Sequence, residues 1–105
     1  MNVPQRGEVW LADCGLKAKV RPVVVISVPF KDTDRALITV VPHTTKVLGS
    51  EFEVRLPIRW PEAGAFNIQA TFPLVPPQFL RRLGSLTPEQ LNDVEDGLRR
   101  WEGLR

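Results

Sequence analysis

Polar and apolar positions alternate loosely from Gly7 to Asp13, which predicts a first strand. Cys14 to Val20, with Gly15, Lys17 and Lys19, reads as a connecting loop. Arg21 to Val28 is β-branched and almost wholly apolar, the pattern of a central strand buried on both faces. Pro22 is tolerated there because the first residue of a strand need not donate to the ladder. Pro29 to Arg35 is a polar turn, and Ala36 to Val41 is a third strand that Pro42 is expected to stop. His43 to Ser50 then forms a second loop, closed by Gly49-Ser50.

Glu51 to Leu56 alternates strictly, so a half-exposed strand with one wet face is expected. Pro57 to Gly64 is a loop holding Trp60. Ala65 to Leu74 is extended, with a break near Gln69. Pro77 to Leu80 suits a short helical turn, and Arg81 to Leu86 a last strand. The one clear helix starts at Thr87. Thr87-Pro88-Glu89-Gln90 combines an N-cap, a proline at the first helical position and Gln at the capping-box spacing. Leu91, Val94, Leu98 and Trp101 follow at helical spacing and predict an apolar docking stripe. Trp10 and Trp101 are both expected in the core. Short strands punctuated by proline and glycine, then a terminal helix, predict a mainly β protein: a small barrel or rolled sheet covered by a C-terminal helix.

Composition narrows the picture. The 105 residues suit one domain, 1–105, with a modest core. No apolar run approaches the ~20 residues of a membrane span, and Met1 to Arg6 has no apolar signal region, so a cytoplasmic protein without membrane association is expected. With one cysteine, Cys14, and one histidine, His43, no metal site built from these ligands is expected, and no cofactor is implied. Net charge is +2 but uneven: residues 1–50 hold seven Lys/Arg against four acids, and residues 51–105 hold seven against eight. The basic excess surrounds the loop leading into Arg21, where it would attract a polyanion or simply be solvated.

The chemistry concentrates at two strand ends. Arg21 offers a planar fork of donors matched to phosphate oxygens. Thr44 and Thr45, after Pro42-His43, offer hydroxyls that donate and accept. From the residues alone, Arg21 fits a structural ion pair as well as a phosphate site, and Thr44 and Thr45 fit the capping of a turn.

The ordered set Gly7-Glu8-Val9-Trp10, Arg21-Pro22-Val23-Val24-Val25-Ile26-Ser27 and Val40-Val41-Pro42-His43-Thr44-Thr45 resembles the MazF/PemK (also Kid) toxins of bacterial toxin–antitoxin systems. Gln69 and the closing Leu83-Gly84-Ser85-Leu86-Thr87-Pro88-Glu89-Gln90-Leu91 extend the likeness over nearly the whole chain. The resemblance implies an SH3-like small barrel, a homodimer, a cognate antitoxin whose disordered tail covers the groove, and metal-independent cleavage of single-stranded RNA. By motif position it implies Arg21 and Thr44 as catalytic residues and Gln69 in the substrate groove. Lys17, Lys19, His43, Thr45 and Lys46 are further substrate-binding candidates, and Trp60 is a candidate for stacking or antitoxin contact. One departure is plain: many PemK-type members carry Asp before the glutamine, and here Ile68 stands there.

Metal-free RNA cleavage uses the substrate's own 2′-hydroxyl, leaving a 2′,3′-cyclic phosphate and a 5′-hydroxyl. Such a reaction needs in-line alignment, charge stabilisation at the phosphoryl oxygens and assisted proton transfer. The competing readings are a non-catalytic toxin of the same fold that binds a protein such as DNA gyrase, and a small nucleic-acid-binding barrel.

Overall fold

The computed structural model describes residues 3–15, 19–57 and 63–104. Seven strands are present: β1 (Glu8–Asp13), β2 (Val20–Val25), β3 (Ile38–Thr44), β4 (Glu53–Val54), β5 (Ala65–Asn67), β6 (Phe72–Leu74) and β7 (Phe79–Ser85). Helix α1 (Pro88–Glu102) follows, and short 3₁₀ turns occupy Ile68–Ala70 and Pro76–Gln78. The strands pair antiparallel in the order β4-β5-β3-β2-β1-β7, with β6 also on β3. The architecture is the mainly β one expected, with its terminal helix. The sheet runs open from β4 to β7, without a closing pair among the described residues.

The apolar run in β2 is continuous because both faces of the sheet are covered. Val23 and Val25 join Trp10, Ala12, Ile38, Val40, Leu74 and Phe79 on one side. Val24 joins Val9, Val41, Phe66, Ile68, Leu86 and Val94 on the other. The Trp10 and Phe79 rings meet edge to face at 5.9 Å, an arrangement their quadrupoles favour.

Helix α1 is capped as the sequence predicts. Gln90 N donates to Thr87 Oγ1 at 3.1 Å, and Thr87 N donates to Gln90 Oε1 at 2.8 Å. The docking stripe needs one correction. Val94 is buried and Leu91 and Leu98 pack against the core, but Trp101 is 46% exposed and rests edge-on against Phe52. The close contact is made instead by Gly97. A Cβ there would lie 3.1 Å from Ile68 Cγ1, so a missing side chain brings the helix down onto the Ile68–Ala70 turn.

Strand boundaries also shift, and β7 begins at Phe79, not Arg81, directly after the Pro76–Gln78 turn. β2 ends at Val25, because the ladder passes to a side chain: Thr39 N donates to Ser27 Oγ at 2.9 Å. β3 runs through Pro42 to Thr44 instead of stopping before it. On its outer side β3 pairs with β6 over Ile38–Val40 and with β5 from His43, so Pro42 sits where that partner changes and no donor is required. The expected strand over Glu51–Leu56 shrinks to Glu53–Val54. The alternation was correctly inward, since Phe52, Val54 and Leu56 pack on the core. The Glu53 carboxylate, however, draws the neighbouring backbone into a loop rather than a ladder.

Candidate functional site: a basic cleft where two strands part

The β2–β3 ladder carries the site. Ile26 N donates to Thr39 O, and the pairing continues through Val25–Val40 and Val24–Val41 to Val23–Pro42, where it stops. The next step would set Pro22 opposite His43, at a place in the alternation where facing residues exchange hydrogen bonds. Proline has no N–H to give. The His43 carbonyl is met instead by a side chain: Arg21 Nη1 donates to it at 3.5 Å.

Beyond that point the strands part and leave an open cleft of about 660 Å³. From β2 it is lined by Val20, Arg21 and Pro22, and from β3 and the loop after it by His43, Thr44, Thr45 and Lys46. Leu11 of β1 and Arg81 and Leu83 of β7 complete it. Arg21, Lys46 and Arg81 are cationic, and no carboxylate is present among the described lining residues. Arg21 also borders a second, smaller cleft of about 250 Å³ with Cys14, Pro42, Ala70 and Phe72.

Thr44 Oγ1 accepts from Lys46 N at 3.1 Å, the turn-capping role the sequence allowed. Its hydrogen is engaged only weakly, by the Lys46 carbonyl at 3.5 Å, so the hydroxyl keeps a donor to offer a ligand. His43 departs from expectation. Its position is on a strand rather than in a loop; the residue is 95% buried, and its ring lies edge-on to Phe66 at 5.3 Å. Gly64 lies beneath both residues: a Cβ there would collide with the Thr44 carbonyl oxygen and lie 2.9 Å from His43 Cε1.

The loop that carries Thr45 and Lys46 is tied back by Glu53. Its carboxylate accepts from the amides of Leu48 at 3.0 Å, Gly49 at 2.7 Å and Ser50 at 2.8 Å. The Leu48 bond, with those of Ser50 and Gly49, holds the Glu53 carboxyl below its ordinary range. Burial pushes the Cys14 thiol up, against the opposing pull of Arg21.

Arg21, Thr44, His43, Thr45 and Lys46 are thus brought to one cleft. Lys19 is exposed on the β1–β2 turn, in the left-handed region at φ 57°, outside the lining. Gln69 is exposed on the 3₁₀ turn, also outside it, beside the Ala70 that borders the smaller cleft. Lys17 and Trp60 fall outside the described residues. Ile68, which stands where the resemblance leads one to expect an acid, points into the core and is fully buried. Arg81 had no local signal in the sequence; only the pairing of β7 with β1 brings it to the cleft.

Residues 5–101 match the PemK-like, MazF-like toxins of type II toxin–antitoxin systems. An endoribonuclease from a mycobacterial species, solved with its cognate antitoxin, is 26% identical, with 100% of this chain and 98% of the other covered and a TM-score of 0.80. A mycobacterial endoribonuclease solved separately is 25% identical, with coverages of 99% and 95% and a TM-score of 0.79. MazE–MazF from Deinococcus radiodurans shares the fold at 24% identity, with 100% of both chains covered and a TM-score of 0.79. No similar protein was found among those with curated descriptions. With the family match spanning almost the full chain, and the same fold recurring end to end in toxins solved with their antitoxins, this chain belongs to the PemK-like, MazF-like toxins of type II toxin–antitoxin systems.

Proposed function

We propose that this toxin is a sequence-specific, metal-independent endoribonuclease that cleaves single-stranded RNA to a 2′,3′-cyclic phosphate and a 5′-hydroxyl. The observation that carries the reading is the convergence of Arg21, Thr44, Thr45, Lys46 and Arg81 on one cleft without a carboxylate among its described lining. Such a surface attracts a phosphodiester and repels little of it. Endoribonuclease names among similar chains give further support.

In the proposed reaction the substrate's 2′-oxygen bonds to phosphorus as the bond to the 5′-oxygen breaks. The 2′-hydroxyl loses its proton and the departing oxygen gains one. Arg21 stabilises the charge that builds on the non-bridging oxygens, where a fixed cation in a partly dry cleft is most effective. Its guanidinium stays protonated, so it serves as a charge and not as a proton donor. Thr44 donates its hydroxyl hydrogen to the phosphate or orients the 2′-hydroxyl. His43, with its ring packed on Phe66, is a positioning residue whose carbonyl helps aim Arg21. Lys46 and Thr45 track the backbone. Lys19 and Gln69, which stand outside the lining, would contribute only to RNA running beyond the cleft.

Incubation of the purified protein with single-stranded RNA in EDTA tests the reading. Fragments with cyclic phosphate and 5′-hydroxyl ends are expected, and one 2′-deoxy nucleotide at the cut site should abolish that cut. Loss of cleavage in EDTA, or normal cutting of the 2′-deoxy substrate, would refute the mechanism.

The working form proposed is a cytoplasmic homodimer held in check by a cognate antitoxin. Exposed apolar side chains such as Val20, Leu80 and Trp101 are surface that a second copy would cover. An acidic disordered antitoxin segment would compete with RNA for the basic cleft. A monomeric mass at micromolar concentration would contradict the first point, and simultaneous full-affinity binding of RNA and antitoxin the second.

A further inference from the structure

The dipeptide Arg81-Arg82 splits across β7. Arg82 turns to one face, where its Nε donates to Glu8 Oε2 at 2.8 Å and its Nη2 to Ser85 Oγ at 2.7 Å. Bonds from Gln5 N, Trp10 Nε1 and Arg82 outweigh burial and hold the Glu8 carboxyl below its ordinary range, so this pair is charged and mutually neutralised at neutral pH. Arg81, opposite Leu11 on β1, turns to the other face and lines the Arg21 cleft beside Leu83. It forms no ion pair among the described residues, whereas Arg6, Arg82, Arg99 and Arg100 each meet a carboxylate.

We propose that Arg81 forms a second phosphate subsite, which grips a phosphate of the RNA backbone flanking the one held at Arg21. This inference rests on the nuclease reading and extends it. Two arginines in one cleft with no carboxylate among its described lining residues, on strands separated by β1, present two anion sites along a groove rather than one. A phosphodiester chain supplies anions in just such a series, and Arg matches their oxygens with a bidentate fork. Because the contact is made to the backbone, it contributes affinity and alignment but no base preference. Arg81 therefore acts equally in the ground and transition states, unlike Arg21.

The test measures binding of mixed-sequence single-stranded RNA bearing 2′-O-methyl groups, which cannot be cut by 2′-attack, across a salt series. Kinetics on cleavable RNA run in parallel. Arg81→Gln should weaken binding on the order of tenfold, as for loss of one charge-assisted bond, and flatten the slope of log K against log salt by about 0.7. KM should rise with kcat and cleavage sequence unchanged. Arg81→Lys should restore the slope. Arg82→Gln, which removes an equal charge from the opposite face, should bind like the wild type. An Arg81→Gln protein with unaltered affinity and slope, a loss falling on kcat, or an equal loss in Arg82→Gln would overturn the subsite. Failure of the nuclease reading looks different: the wild type would not cut, while the binding comparison would still judge Arg81.

Discussion

Arg21 reaches across the end of a β-ladder to the His43 carbonyl oxygen, 3.5 Å from its Nη1. A proline makes that contact possible. Pro22 cannot donate where the ladder would continue, so the strands part and the carbonyl becomes a docking point for the guanidinium. The same missing donor thus opens the cleft and leaves the carbonyl within long hydrogen-bond reach of its central cation.

That arrangement predicts an asymmetric response at Arg21. Arg21→Ala should remain folded and lose on the order of 10²–10³ in cleavage rate, the usual cost of removing one preorganised donor to an oxyanion. Arg21→Lys should also be poor, since a point charge cannot hold a carbonyl and a phosphate in one plane. Thr44→Ala should lose less, and Thr44→Ser should recover, because serine keeps both the turn cap and the weakly held hydroxyl hydrogen. Single-turnover cleavage measures all four; near wild-type rates in Arg21→Ala would make the residue structural.

Gly64 tests the floor of the cleft. Its missing Cβ is the space taken by the Thr44 carbonyl and the His43 ring. Gly64→Ala should force β5 away from β3 at the His43–Phe66 pair and cost roughly 1–3 kcal/mol, as overpacking does. Cleavage per folded molecule should fall as well, because Thr44 moves with its carbonyl. Thermal unfolding and single-turnover rates would show both effects. A variant with wild-type stability and activity would mean that β5 yields freely.

What the sequence discloses here is what is local. The Thr87 cap depends on residues three apart, and its two bonds are present as read. The apolar run of Val23 to Val25 needs only both faces covered. Features decided by distant partners were opaque. Pro42 stays within a strand because β6 gives way to β5 beside it. Register shifts between β1 and β7 set which of Arg81 and Arg82 enters the cleft, and parity along one strand cannot reveal that. Trp101 has the spacing of a core residue, yet the helix docks through Gly97 and leaves the indole near the rim. At the site, the resemblance points to Arg21 and Thr44, and both line one cleft; the geometry of Gly64 and Glu53 has no local signal.

Gly97 should be intolerant of bulk for that reason. Glycine within a helix costs about 1 kcal/mol against alanine, so its presence implies a compensating close approach. Gly97→Leu should destabilise by roughly 1–3 kcal/mol through collision with Ile68 and Val54. For a domain of this size that lowers Tm by roughly 4–8 °C per kcal/mol. Chemical or thermal denaturation would record it, while the cleft, which Gly97 does not line, should keep its RNA affinity in the folded fraction.

Glu53 gives the loop after Thr44 a pH dependence whose sign is fixed by its bonds. The Leu48 amide, with those of Ser50 and Gly49, stabilises the carboxylate over the acid and lowers its pKa. A lowered carboxyl contributes stability above its unfolded value and loses it as pH falls through the folded one. The tether should therefore be intact at neutral pH and released only below the ordinary glutamate range, near 4.3. Following the Glu53 carboxyl by NMR should give a titration below that value, with the Leu48, Gly49 and Ser50 amide signals moving in step. Glu53→Gln should abolish the acid-induced change and, at neutral pH, loosen the loop that presents Thr45 and Lys46, which would raise KM for RNA more than it lowers kcat. Titration of Glu53 at the ordinary value, with the three amides unresponsive, would show that the carboxylate does not hold the loop.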